Sequence, residues 1–89
     1  MNLNTSWVLQ IDPGVYKSLK KVPHDIMQRL FAEFNELSVN PFDGDIQKMN
    51  GEDNVWRKRI GAYRIRYEII KEEKAIHIFR VERRTSKTY

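Results

Sequence analysis

Residues 56–69, WRKRIGAYRIRYEI, alternate apolar and basic side chains on either side of a Gly-Ala pair. That pattern specifies two antiparallel strands joined by a two-residue turn. With Gly61 and Ala62 in the turn, Ile60 pairs with Tyr63, Arg59 with Arg64, Lys58 with Ile65 and Arg57 with Arg66. Successive strand side chains point to opposite faces, so Trp56, Ile60, Tyr63, Ile65, Tyr67 and Ile69 share one side. Arg57, Arg59, Arg64 and Arg66 share the other. Like charges directly opposed across a sheet are unfavourable. A chain that sets two Arg–Arg pairs side by side has a use for an anion there.

Eighty-nine residues suit one small domain, 1–89, with a single modest core. The absence of cysteine excludes disulfides, thiolate catalysis and Cys-based zinc sites together, and fits a reducing compartment. No apolar run approaches the roughly 20 residues that span a bilayer. The first residues, MNLNTSWVLQID, lack the basic start and apolar block of a secretion signal. The expectation is a cytoplasmic protein with no membrane partner. Carboxylates are scattered through loops and turns, so neither a metal nor a cofactor is expected. The net charge is +4, and its distribution is uneven: seven of the eight arginines lie at or beyond Arg57, and only Arg29 precedes them. A basic half on a small domain points to a polyanionic partner, most often nucleic acid.

Around the hairpin the pattern predicts a strand over 7–11, then a short helix over 13–20 opened by Asp12-Pro13. A longer helix over 24–39 carries Ile26, Leu30, Phe34 and Leu37 at helical spacing, widened by Met27 and Phe31. Pro41 and the Asp-Gly pair make a loop, and residues 46–54 read as irregular. The hairpin strands cover 55–60 and 63–70, a charged turn covers 71–74, a last strand runs 75–82, and residues 83–89 form a polar tail. The order β-α-α-β-β-β gives an α+β domain, with two helices packed on one face of a small antiparallel, mixed-edge sheet.

The string W-R-x-R-x-G-x-Y-R-I-x-Y, preceded by Asn40-Pro41-Phe42 and closed by Arg83 and Tyr89 as R-x-x-x-x-x-Y, resembles the RelE/ParE superfamily of bacterial toxins. The resemblance covers nearly the whole chain. It implies a RelE-like toxin of a type II toxin–antitoxin system, neutralised by a cognate antitoxin. RelE-type members cut mRNA in the ribosomal A site, whereas ParE-type members inhibit DNA gyrase without nuclease chemistry. Carried over residue by residue, the nuclease branch implies catalytic roles for Arg59, Arg64, Arg83 and Tyr89. Arg57, Arg66, Arg84 and Lys87 become RNA-binding residues. The implied partners are the antitoxin, the ribosome and mRNA, with operator DNA reached only through the antitoxin complex. The nuclease prototype commonly has lysine at the alternating basic pair, where this chain has Arg57 and Arg59. Arginine stays protonated, so these positions supply charge rather than a base.

Metal-free RNA cleavage needs activation of the ribose 2′-hydroxyl, stabilisation of the phosphorane, and protonation of the departing 5′-oxygen. Guanidinium forks answer the second need, since they match phosphate oxygens bidentately. Arg64 takes that role, assisted by Arg59 and Arg83, while Tyr89 serves as base or as a stacking partner for an RNA base. A four-residue turn at 71–74 sets His77 opposite Glu68 on the arginine face, where a structural role is favoured. Two other readings stay open: a ParE-like gyrase inhibitor, and a non-toxic basic domain that binds nucleic acid.

Overall fold

The computed structural model describes residues 6–83. Strand β1 (Val8–Ile11) leads into helices α1 (Pro13–Leu19) and α2 (His24–Val39). Strands β2 (Ile46–Lys48), β3 (Val55–Ile60), β4 (Tyr63–Ile70) and β5 (Ala75–Arg83) follow. They form one sheet in the order β1-β5-β4-β3-β2. β1 runs parallel to β5, and the other neighbours are antiparallel. The α+β architecture is the expected one, with one strand more than the sequence pattern predicts. Residues 46–54 are not wholly irregular: Ile46, Gln47 and Lys48 pair with Lys58, Arg57 and Trp56 as a short edge strand.

Local chemistry sets the helix boundaries. The Asp12 carboxylate accepts from the Gly14 N–H at 2.9 Å, and Pro13 occupies the first turn, where a missing N–H costs nothing. Helix α2 buries Leu30, Phe34 and Leu37 and stops at Asn40, before Pro41. Those three side chains meet Ile60, Ile65, Tyr67, Ile69, Ile76, Ile78 and Val81 of the sheet, and Val15 and Leu19 of α1 complete the core.

Tyr67 lies at the centre of this core, fully buried, and its hydroxyl donates to the Pro41 carbonyl at 2.7 Å. Burial pushes its phenol pKa up, so the group stays protonated and keeps the proton it donates. Tyr67→Phe leaves that buried carbonyl unpaired. The expected cost is about 1–3 kcal/mol, read as a lower urea midpoint at unchanged slope.

The hairpin has the register that its sequence specifies, from Val55 opposite Glu68 to Ile60 opposite Tyr63. Gly61 has φ +59°, and of the two turn residues it alone takes a positive φ, as a turn with glycine first requires. Lys58 falls on the core face between Trp56 and Ile60. It is 6% exposed, and its Nζ reaches Glu33 of α2 at 3.0 Å. Strand β5 carries a bulge: Arg66 pairs with Arg80 but Tyr67 pairs with Ile78, which leaves Phe79 as the extra residue.

Candidate nucleic-acid interface

The sheet face turned away from the helices is set by the alternation of β3 and β4. It carries Arg57 and Arg59 on β3, Arg64, Arg66 and Glu68 on β4, and His77, Arg80 and Glu82 on β5. Most of these cations are held. The Arg57 Nη2 donates to Gln47 Oε1 at 2.6 Å, and Arg59 Nε to Asp45 Oδ2 at 3.1 Å. Glu82 divides its two oxygens, Oε2 taking Arg66 Nη2 at 3.2 Å and Oε1 taking Arg80 Nε at 3.1 Å. Strand β2, unforeseen in the sequence, therefore has a clear part in the site: it brings Gln47 beside Arg57, and the loop before it supplies Asp45 to Arg59.

Arg64 stands apart. It lies between Arg59 on β3 and Glu82 on β5, yet Glu82 is committed to the other two arginines. Among the described residues the Arg64 side chain has no ion pair or hydrogen bond; its Nε, like that of Arg66, is buried without a partner, but Arg66 is held through its Nη2. A half-buried guanidinium left unsatisfied beside a second arginine is a site awaiting an anion with several acceptor oxygens. The neighbouring Arg59–Asp45 contact is solvent-exposed, with side chains 47% and 62% accessible, so it is worth at most about 1 kcal/mol. An incoming phosphate can take Arg59 from Asp45 at little cost.

The structure thus gathers Arg57, Arg59, Arg64 and Arg66 on one surface. Arg83 requires a correction. Strict alternation from His77 would set it on the arginine face, but the bulge at Phe79 reverses the parity of the rest of β5. Arg80 and Glu82 then face outward, whereas Val81 and Arg83 face the helix side. Arg83 lies opposite Tyr63 and lines a groove with Pro23, Ile26 and Arg29 at the hairpin tip. Arg84, Lys87 and Tyr89 lie outside the described residues. His77 is opposite Glu68 as the turn length implies, with Nδ1 3.9 Å from Glu68 Oε1.

Sequence reasoning missed Asp45, Gln47 and Glu82, the groups that orient the arginines, and Arg80 as a further member of the face. Only the spacing of Ile76, Ile78 and Val81, which breaks alternation, signalled that Glu82 turns outward. Among the described residues no three His, Asp or Glu side chains converge as metal ligands, and no helix is long and apolar enough to cross a membrane.

A family model described as the ParE toxin of the type II toxin–antitoxin system parDE matches residues 9–87. A Methanocaldococcus jannaschii protein that carries the toxin name RelE1 is 30% identical over 79 residues, covering 85% of this chain and 88% of that protein. Among solved structures, the RelB–RelE antitoxin–toxin complex of Methanococcus jannaschii is similar at 31% identity and TM-score 0.69, over 83% of this chain and 88% of that one. The archaeal RelE–RelB complex of Pyrococcus horikoshii shares the fold at 24% identity and TM-score 0.80, over 92% and 99% of the two chains. The isolated E. coli RelE toxin shares it at 18% identity and TM-score 0.79, over 92% and 88%. By sequence and by fold, the chain belongs to the RelE/ParE family of type II toxin–antitoxin toxins.

Proposed function

We propose that this toxin stops translation by ribosome-dependent endonucleolytic cleavage of mRNA, with Arg64 as the principal ligand of the scissile phosphate. The observation that carries the reading is the half-buried Arg64 guanidinium, unpaired among the described residues, beside Arg59 on a face of arginines. In the reaction the ribose 2′-oxygen attacks phosphorus, the bond to the 5′-oxygen breaks, and negative charge grows on the non-bridging oxygens between these events. Arg64 and Arg59 meet that charge with donors already in place, so little reorganisation is needed as it develops. Arg57 and Arg66, held by Gln47 and Glu82, bind the flanking backbone. Tyr89 is assigned the 2′-hydroxyl proton, and Arg84 and Lys87 the RNA backbone. Such a reaction places the protein in the cytoplasm.

The same open face suits a cognate antitoxin whose acidic segment competes with RNA, and charge complementarity speeds such an encounter. RelE relatives from Pyrococcus horikoshii and Methanococcus jannaschii are crystallised in complex with RelB, which supports an antitoxin as partner. Operator DNA is then contacted through the complex, by way of the antitoxin.

The family model's ParE description favours one second reading, a gyrase inhibitor that performs no chemistry. Mapping 5′ ends of mRNA in a translation reaction separates the two. New ends that appear only with both toxin and ribosomes support the nuclease. Intact mRNA together with blocked supercoiling establishes the inhibitor instead.

A further inference from the structure

Beside the arginines, the outward face of β5 carries a pair of rings that the phosphate chemistry does not use. Phe79 and His77 are two residues apart on one strand, and their ring centroids lie 6.1 Å apart with planes tilted at 45°. Both are half-buried, and Glu68, Arg66, Arg80 and Glu82 share their face. Phe79 owes its place to the bulge, where β5 inserts it between the partners of Arg66 and Tyr67. Bulges re-aim side chains and cluster near functional sites. A phenylalanine spent in this way on the outer face adds nothing to the core beneath, which Ile76, Ile78 and Val81 already supply.

The neighbours of Phe79 are suited to one kind of ligand. Arg80 follows it directly and is held by Glu82, which also holds Arg66 across the ladder. β1 pairs with β5 only from Ala75 to Ile78, so no strand covers the β5 edge at Phe79 among the described residues. A recess of about 400 Å³ opens there, bordered by Phe79, Arg80 and Glu82 together with Gly14, Val15 and Ser18. Phe79 lies three residues along β5 from Glu82, the residue opposite Arg64, a separation of about 10 Å at the ordinary strand rise. Aromatic faces interleaved with guanidinium groups on an open sheet are the means by which single-stranded RNA is held. Bases stack on the rings and phosphates lie on the arginines.

We infer that Phe79, backed by His77, is a stacking subsite for an unpaired RNA base flanking the phosphate bound at Arg64, with Arg80 and Arg66 holding the connecting backbone. This rests on the RNA-cleavage reading above and adds a subsite to it. It concerns an RNA base; a peptide segment laid over the same rings is the competing occupant.

The test is binding of a short single-stranded RNA carrying 2-aminopurine, whose fluorescence is quenched by stacking, to the wild-type chain, Phe79→Leu, Phe79→Tyr and Arg64→Ala. An abasic RNA of the same length is the control, and circular dichroism confirms folding of each variant. Phe79→Leu should weaken binding about tenfold and lose the quench, whereas Phe79→Tyr should retain both. Abasic RNA should bind all three Phe79 forms alike. Unchanged affinity and quench in Phe79→Leu, with Arg64→Ala still impaired, would overturn the subsite and leave the RNA reading standing. Equal loss on abasic RNA would likewise overturn it, by making Phe79 a mere support for Arg80. A wild-type chain that binds no RNA, free or on ribosomes, would overturn both.

Discussion

Arg64→Ala is expected to lower ribosome-dependent mRNA cleavage by about 10²–10³-fold, the scale observed when one preorganised donor to a developing oxyanion is removed. The fold should be unaffected. Among the described residues the Arg64 guanidinium has no partner, so truncation breaks no ion pair or hydrogen bond there and ends its opposition to Arg59. The melting temperature should therefore hold or rise slightly while activity collapses, which separates a chemical role from a structural one. Arg64→Lys sharpens the result. Lysine keeps the charge but not the planar fork, so it should recover only part of the rate. A folded Arg64→Ala protein that cuts mRNA at the wild-type rate would remove Arg64 from the mechanism.

The hairpin was legible because three independent signals agree in it: period-two alternation, a Gly at the turn, and apolar side chains gathered on one face. All four pairs that the sequence specifies, from Arg57–Arg66 to Ile60–Tyr63, are reproduced. The long helix was equally plain, since its buried Leu30, Phe34 and Leu37 keep helical spacing. What escaped depends on long-range pairing. Three residues, Ile46–Lys48, have no period to read, and they become a strand because β3 offers an unpaired edge. The parity of β5 beyond Phe79 was hidden for a related reason. A one-residue bulge moves every later side chain to the other face, so Arg83 and Glu82 exchanged sides. That exchange matters to the site more than any element boundary. It removes one arginine from the outward face and puts there the carboxylate that orients two others.

Lys58 was legible and passed over. The alternation that placed Trp56 and Ile60 in the core places the residue between them there too, and a lysine at such a position needs a partner. Glu33 supplies it, and the pair joins α2 to the strand whose opposite face bears Arg57 and Arg59. The two partners are unequally buried, 8% exposed for the lysine side chain against 27% for the glutamate. Removing one is therefore not equivalent to removing the other. Glu33→Ala strands a buried ammonium and should cost about 3 kcal/mol, a fall in melting temperature of roughly 15 °C for a domain of this size. Lys58→Met leaves a carboxylate that can turn toward water, and it fills the space with an apolar chain. Its cost should be clearly smaller, under about 1.5 kcal/mol. Gly44 lies beside the lysine stem, where an added Cβ would come within 2.9 Å of Lys58 Cε. If calorimetry found the two substitutions equally harmful, the pair would be acting through packing alone. The predicted inequality instead makes Glu33 the counter-charge that lets a lysine lie under the arginine face.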